Sequence, residues 1–101
     1  RMGDFIFARM ADWTERHKIV GDVRGRGLMI GVEIVRDQKT KQPAPDLRRK
    51  ILEAAFHKGL LILGAGESTL RLAPPLLIDE EQAGFAVRAL DSCIGEVERD
   101  A

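Results

Sequence analysis

Residues 28–35 read LMIGVEIV, and this stretch decides the fold. Its large apolar side chains occupy every second position: Leu28, Ile30, Val32 and Ile34. Because successive side chains of a strand point to opposite faces, the alternation predicts a strand with one strongly apolar face. That face has to be covered by other apolar surface, so a sheet packed against helices is the expected architecture.

Three segments around this strand carry apolar residues at helical spacing. In the first, predicted to end near His17, they are Met2, Ile6, Met10 and Trp13. In the second, predicted from Pro45 to about Gly59, they are Leu47, Ile51, Ala54 and Ala55. In the third, they are Ala83, Val87, Leu90, Ile94 and Val97. Asp79 and Gln82 occupy the positions of a capping box, so the third helix is predicted to begin after Asp79.

Two further strands are predicted between the second and third helices. Residues 60–63 form a short apolar run, and residues 64–68 form a glycine-bearing turn that leads into a strand at residues 69–72. Pro74 and Pro75 end that strand, because proline supplies no donor to a β-ladder. A right-handed crossover from the first strand to the second can leave a gap, which the third strand fills antiparallel to both.

The predicted fold class is α+β with two layers: a three- or four-stranded, mostly antiparallel sheet with helices on one face. The sequence shows no internal repeat and no linker long enough to separate two domains, so residues 1–101 are predicted to form a single domain. The chain opens on RMGD inside the first helical pattern, without a cap. We therefore expect this beginning to be a cut and not a natural start.

Composition and charge exclude several classes of function. Sixteen Lys and Arg residues balance sixteen Asp and Glu residues, so no strong field favours nucleic acid or an anionic membrane surface. No apolar run approaches the ~20 residues that span a bilayer. The single cysteine, Cys93, cannot form an internal disulfide, which fits a reducing, cytoplasmic setting and predicts a packing residue on a helix.

Few residues fit a recognised catalytic or metal-binding pattern. His17 and His57 lie near predicted helix C-termini, where a partly cationic imidazole complements the helix dipole. No serine, histidine and acid surround a nucleophile, and no cluster has metal-ligand spacing. The glycines around Arg26 precede a strand, whereas a dinucleotide-binding loop follows one, so such a loop is excluded. Arg24 and Arg26 could bind an anion, but two exposed arginines beside a turn are more often solvated. The residues thus predict no catalytic, cofactor-binding or metal-binding site.

Arg71 admits two interpretations. Leu70 and Leu72 point to the core, so Arg71 points to the open face of the sheet. There its guanidinium can bind a carboxylate through two parallel hydrogen bonds. Alternatively it pairs with Glu33 on the same face, and exposed pairs of this kind contribute only ~0–1 kcal/mol. From the residues alone, the pair with Glu33 is favoured.

Three stretches, taken in order, resemble a known family: residues 20–33 (VGDVRGRGLMIGVE), residues 59–61 (GLL) and residues 70–76 (LRLAPPL). In this order and spacing they resemble the C-terminal segment of class III aminotransferases, which include 4-aminobutyrate, ornithine and acetylornithine aminotransferases. The resemblance spans nearly the whole chain, from Met2 to Ile94. It implies the small C-terminal domain of a fold-type-I enzyme that uses pyridoxal 5'-phosphate.

The resemblance also implies roles. The family's arginine before the Pro-Pro pair binds a substrate carboxylate, and Arg71 matches it, which reverses the preference for Glu33. Family members are homodimers whose active sites lie between a large cofactor domain and this small one. The large domain of the same chain is therefore expected to cover the open face. Without it, Met29, Val35 and either Leu61 or Leu63 would be partly bare. Residues 64–69 (GAGEST) lean toward a 4-aminobutyrate-like ω-amino acid as amino donor and a 2-oxo acid as acceptor.

In this family the catalytic lysine lies in the large domain. None of the lysines here has a comparable context: Lys18, Lys39, Lys41, Lys50 and Lys58. The fragment alone is therefore expected to be inactive and to bind no cofactor. A different class of function, a free-standing ligand-binding or regulatory module of ferredoxin-like topology, is permitted by the same order of elements. A dimerisation domain would need an apolar open face, against which Arg71 and Glu33 argue.

Overall fold

The structure is a computed structural model that describes residues 2–26, 29–59, 62–66, 68–72 and 79–100. Within these residues the elements follow in the order α1 (Met2–Met10), α2 (Trp13–Arg16), β1 (Val20–Arg26), β2 (Met29–Asp37), β3 (Gln42–Pro43), α3 (Pro45–His57), β4 (Leu63–Ala65), β5 (Thr69–Leu72) and α4 (Glu80–Asp100). The predictions for Leu28, for Leu60 and Leu61, and for Pro74 and Pro75 lie outside the described residues.

The central strand of the sheet is β2. It pairs antiparallel with β1 on one side and with β5 on the other, and β4 is the outer neighbour of β5. The short β3 also pairs with β2, opposite Val35. The α+β class is confirmed, as is the position of β5 between β2 and β4. Five strands are present among the described residues, instead of the three or four predicted.

The additional long strand, β1, was not predicted, and it contains Gly21 and Gly25. In the structure, both glycines mark close approaches. A Cβ on Gly21 would lie 2.6 Å from Val35 Cγ1, and a Cβ on Gly25 would lie 2.9 Å from Phe7 Cδ1. Glycine in a strand commonly allows such contacts. The glycines therefore let β1 run close to its neighbours.

The hairpin is tighter than predicted. The strand expected at residues 60–63 begins at Leu63 and continues through Gly64 and Ala65, which were assigned to the turn. Gly64 pairs with Leu70 and Ala65 with Thr69. The backbone pairing thus extends further toward the turn than the glycine-rich composition suggests.

The helices follow the apolar spacing closely, with one interruption. The first predicted helix is divided into α1 and α2, and Met10 and Trp13, on either side of the break, are both fully buried. Helix α3 is followed by Gly59, whose φ of +84° is a left-handed conformation typical of a helix end. None of the described helices is long and apolar enough to cross a membrane.

The capping box of α4 is confirmed. The backbone nitrogen of Asp79 donates to Gln82 Oε1 at 3.1 Å, and that of Gln82 donates to Asp79 Oδ1 at 2.8 Å. This reciprocal pair satisfies two backbone donors at the start of the helix. The helix then runs for 21 residues along the core.

The core lies between one face of the sheet and the helices. The sheet contributes the predicted apolar side chains of β2 and β5, namely Ile30, Val32, Ile34 and Leu70, all at most 1% exposed. Helices α3 and α4 contribute Ile51, Leu90 and Ile94. Cys93 is fully buried among them, and burial raises the pKa of its thiol. The packing role predicted for Cys93 is therefore confirmed.

Candidate functional site

The open face of the sheet, which is turned away from the helices, carries Arg71. Its side chain is exposed whereas Leu70 is buried, so the predicted direction is confirmed. The register places Arg71 between Leu63 of β4 and Gly31 of β2, and Gly31 lies opposite Arg24 of β1. We call these four residues, Leu63, Arg71, Gly31 and Arg24, the arginine row.

Next to the arginine row, Glu33 is held by partners other than Arg71. Its Oε1 accepts from Thr69 Oγ1 at 2.7 Å and from Arg24 Nη2 at 3.4 Å, and its Oε2 accepts from Ser68 Oγ at 3.3 Å. None of the described carboxylates pairs with Arg71. The alternative that Arg71 pairs with Glu33 is therefore wrong in this structure.

Arg24 differs from Arg71 in being compensated. It donates to Asp22 Oδ2 at 3.0 Å as well as to Glu33. The hydrogen bond with Asp22, followed by that with Glu33, raises the pKa of Arg24 despite partial desolvation. The prediction that Arg24 is simply solvated is wrong, because register brings two acids beside it. The side chain of Arg26 lies outside the described residues.

Gly31 places no side chain between the two arginines. A Cβ at this position would lie 3.6 Å from Thr69 Cγ2 and 3.8 Å from Arg24 Nη2. Arg71 thus lies on a paired strand, exposed and with no partner among the described acids. A guanidinium in this setting can bind a carboxylate through two parallel hydrogen bonds.

The apolar part of the open face is smaller than predicted. Leu63 is 57% exposed, as expected for a side chain that the large domain would cover. Val35 was expected to be bare as well, but it is fully buried. The reason is local, because Gly21 and the paired β3 residue Pro43 cover it. The side chain of Met29 and all of Leu61 lie outside the described residues.

A second group of charged side chains lies on the helix-covered side of the sheet. His17, which is 6% exposed, places Nε2 2.5 Å from Asp91 Oδ1 and Nδ1 3.0 Å from Glu98 Oε1. Arg16 donates to Asp91 Oδ2 at 2.8 Å, and the backbone nitrogen of Ile19 donates to Glu98 Oε2 at 3.2 Å. We call Arg16, His17, Asp91 and Glu98 the His17 cluster.

The His17 cluster has no nitrogen left for proton transfer to a ligand, since both ring nitrogens face carboxylates. Partial burial would raise the pKa of Asp91, but the hydrogen bonds from Arg16 and His17 outweigh it and hold that pKa below its ordinary value. His17 is the C-cap of α2, as predicted, but its partners are acids of α4. The sequence signal for them is the seven-residue spacing of Asp91 and Glu98, which places both on one side of a helix.

His57 has a different environment from His17. It is the last residue of α3, is exposed, and makes an edge contact with the Phe56 ring at 6.2 Å. A shallow groove of about 420 Å³ beside the His17 cluster is lined by both acids and bases, including Glu15, Lys18 and Arg99. The mixed charges favour no single class of ligand.

The described residues do not fit pyridoxal phosphate. A lysine that holds this cofactor covalently must lie in a cleft that also contains the ring and the phosphate. All five lysines are exposed, Lys41 donates to the carbonyl oxygen of Gly21 at 2.6 Å, and Lys58 pairs with Glu96 at 3.4 Å. Among the described residues, no group of three or more His, Cys, Asp or Glu side chains could hold a metal ion.

Comparison with known proteins supplies the context of this site. Residues 1–94 match the family model of the class-III aminotransferases. The chain is 36% identical over 98 residues to the leucine/methionine racemase of Thermococcus litoralis, and the match covers 97% of this chain and 22% of the relative. It is 39% identical over 92 residues to a mitochondrial alanine–glyoxylate aminotransferase 2 homolog of Arabidopsis thaliana, and the match covers 89% of this chain and 19% of the relative.

Solved structures agree with the sequence relatives. A PLP-bound amine transaminase from an uncultivated Pseudomonas species superimposes with a TM-score of 0.87 and 31% identity. The match covers 95% of this chain and 22% of that one. The chain therefore spans about a fifth of the length of the relatives that it matches.

Proposed function

The chain belongs to the class-III aminotransferase family, and from this membership we propose that it is the small C-terminal domain of a pyridoxal-phosphate-dependent transaminase whose substrate carboxylate binds Arg71. The observation that carries the proposal is the contrast within the arginine row. Arg24 is compensated by Asp22 and Glu33, whereas none of the described acids pairs with Arg71. The family match argues against the free-standing ferredoxin-like module.

In this proposal the described residues bind and orient the substrate. The cofactor, bound by the large domain, supplies the electron sink and carries the amino group. Arg71 holds the carboxylate on the open face, and Thr69 and Ser68 keep Glu33 away from Arg71 by hydrogen bonding. Leu63, exposed beside Arg71, offers an apolar contact to the substrate chain and is covered when the large domain of the same chain docks.

The proposed reaction moves an amino group from a 4-aminobutyrate-like ω-amino acid to a 2-oxo acid. Both substrates carry a carboxylate, which is the group that Arg71 is suited to bind. The name of the Arabidopsis relative contains alanine and glyoxylate, which also carry carboxylates. The same proposal makes the whole protein a homodimer with one such site in each subunit.

The test is Arg71→Ala in the full-length protein. Loss of a charge-assisted clamp costs about 2 kcal/mol, so the KM for 4-aminobutyrate should rise about 30-fold with a smaller change in kcat. Arg88→Ala, which removes an exposed arginine of α4, is the control and should leave KM unchanged. An unchanged KM in Arg71→Ala would contradict the carboxylate-binding role of Arg71.

Racemisation of an amino acid is the second candidate, because the chain is 36% identical to a leucine/methionine racemase over 97% of its length. A racemase inverts one amino acid and needs no 2-oxo acid. The full-length protein should therefore be incubated with L-leucine alone and followed by its optical rotation. Loss of rotation supports racemisation, whereas a product that forms only after pyruvate is added supports transamination.

A further inference from the structure

Arg48, on α3, lies beneath the hairpin formed by β4 and β5, on the helix-covered side. Its Nη1 donates to the carbonyl oxygen of Gly66 at 3.1 Å and to that of Thr69 at 3.4 Å. Gly66 lies in the turn of the hairpin, and Thr69 is the first residue of β5. Hydrogen bonds from a charged donor are stronger than neutral ones. One guanidinium therefore ties the turn and β5 to α3.

Gly64 makes room for this guanidinium. A Cβ at Gly64 would lie 3.0 Å from Arg48 Nη1 and 3.1 Å from Arg48 Cζ. Gly64 pairs with the buried Leu70, so the missing side chain would point toward the helices. A larger residue at this position would therefore force the guanidinium to shift, by a few tenths of an ångström for a Cβ alone.

The hairpin needs such an anchor because its strands are short. β4 has three residues, lies at the edge of the sheet and pairs only with β5 among the described strands. β5 has four residues, and Arg71 is the third of them. Thr69, two residues before Arg71, is held through its carbonyl oxygen by Arg48 and through its hydroxyl by Glu33 on the opposite face. The backbone that carries Arg71 is thus fixed from both sides of the sheet.

We propose that Arg48 is a positioning residue that, together with Gly64, sets the height and direction of Arg71 for binding a carboxylate. The inference rests on the proposed function of Arg71. Arg48 itself does not touch the substrate, since it lies on the other side of the sheet. A shift of about 1 Å in a binding group is enough to reduce activity strongly. Loss of the anchor should therefore weaken recognition of the carboxylate specifically.

The measured quantity is the ratio of kcat/KM for 4-aminobutyrate to kcat/KM for butylamine, with pyruvate as acceptor, in the full-length protein. Butylamine replaces the carboxylate by a methyl group. A general loss of folded protein or bound cofactor lowers both values and cancels from the ratio. In a ping-pong reaction, each kcat/KM reports the half-reaction with the donor alone.

Arg48→Ala should lower this ratio about tenfold. Arg48→Lys, which keeps one charged donor, should retain part of the discrimination. Gly64→Ala, which displaces the guanidinium without removing it, should lower the ratio as well and serves if Arg48→Ala does not fold. The matched control is Arg49→Ala, which removes the adjacent exposed arginine of α3 and should leave the ratio unchanged.

Arg71→Ala measured in parallel separates the two proposals. If it leaves the ratio unchanged, the proposed function fails. If it lowers the ratio while Arg48→Ala and Gly64→Ala do not, only the positioning role is overturned. Equal losses in Arg48→Ala and Arg49→Ala would also overturn that role.

Discussion

The arginine row and the His17 cluster both contain charged side chains, yet they differ in how these charges are compensated. In the His17 cluster, a nearly buried imidazole lies between two carboxylates, and one of these also binds Arg16. In the arginine row, Arg24 is paired twice and none of the described acids pairs with Arg71. Charged groups that pair with each other within the fold stabilise the fold, whereas a charged group without such a partner on an open face can bind a ligand.

The same comparison explains why a buried histidine is not the site here. A general base needs a nitrogen within hydrogen-bond reach of a substrate proton. Both nitrogens of His17 face acids of α4, and the ring stands edge-on to Trp13 at 6.0 Å. The His17 cluster therefore joins α2 and the start of β1 to the last helix. Changes there should alter stability, and changes in the arginine row should alter binding.

The largest effect on stability is expected from His17→Leu. This change leaves Asp91 and Glu98 without the imidazole that each of them contacts, and breaking a buried pair is strongly destabilising. Because both acids keep some exposure, the free energy of unfolding should fall by about 3 kcal/mol in urea denaturation of the chain at pH 7. His57→Leu, at an exposed histidine, should change it by less than about 0.5 kcal/mol. Equal effects of the two changes would remove the distinction between the regions.

Arg71→Ala should show the opposite behaviour. Its guanidinium has no described acidic partner, so the free energy of unfolding should change by less than about 0.5 kcal/mol. Binding of the carboxylate substrate should nevertheless weaken by about 2 kcal/mol in the full-length protein. Both quantities should be measured for the same variant. A loss of stability as large as the loss of binding would make Arg71 a structural residue.

Asp91→Asn sharpens the comparison through pH. The pKa of Asp91 is lowered in the folded chain, so its charge contributes stability above the unfolded pKa, near 4. This contribution is lost as pH falls through the lower, folded pKa. The free energy of unfolding of the wild-type chain should exceed that of Asp91→Asn by about 1 kcal/mol at pH 7, and this difference should shrink as the pH falls below about 4. Glu53→Gln, at an exposed acid of α3, should leave the free energy of unfolding nearly unchanged at either pH. If the difference between the wild type and Asp91→Asn did not change with pH, the lowered pKa of Asp91 would not contribute to stability.

The smallest effect is expected from Arg24→Ala. Its pairs with Asp22 and Glu33 are largely exposed, and such pairs contribute about 0.5 kcal/mol or less. Without Arg24, Glu33 is more available to Arg71, so the KM for 4-aminobutyrate should rise about twofold in the full-length protein. Arg24→Lys should behave like the wild type. If Arg24→Ala matched the effect of Arg71→Ala, the two arginines would have to bind the carboxylate together.

Local sequence signals predicted the parts of the fold that depend on neighbouring residues. The capping box of α4, the start of α3 at Pro45 and the left-handed Gly59 after it all follow from backbone chemistry within a few residues. The break between α1 and α2 and the strand β1 were not predicted. The strand β1 depends on contacts distant in sequence, such as the packing of Gly21 against Val35.

The candidate site was predicted in the same uneven way. Alternation alone indicated that Arg71 points away from the core, and the resemblance of residues 70–76 suggested a carboxylate as its ligand. Alternation could not indicate which arginine would compensate Glu33, because that depends on how β1 and β5 flank β2. The anchor Arg48 was missed, since nothing in its local pattern distinguishes it from Arg49.

The sequence by itself determined the element types, the apolar face of the sheet and the outward direction of Arg71, because these depend on periodicity and on short-range backbone geometry. Only the tertiary structure decided which charges are compensated. It joined His17 to Asp91 and Glu98, assigned Glu33 to Arg24 and Thr69, and placed Arg48 against Gly64. The physical reason is that Coulomb and hydrogen-bond energies depend on distances of a few ångströms between residues far apart in the chain.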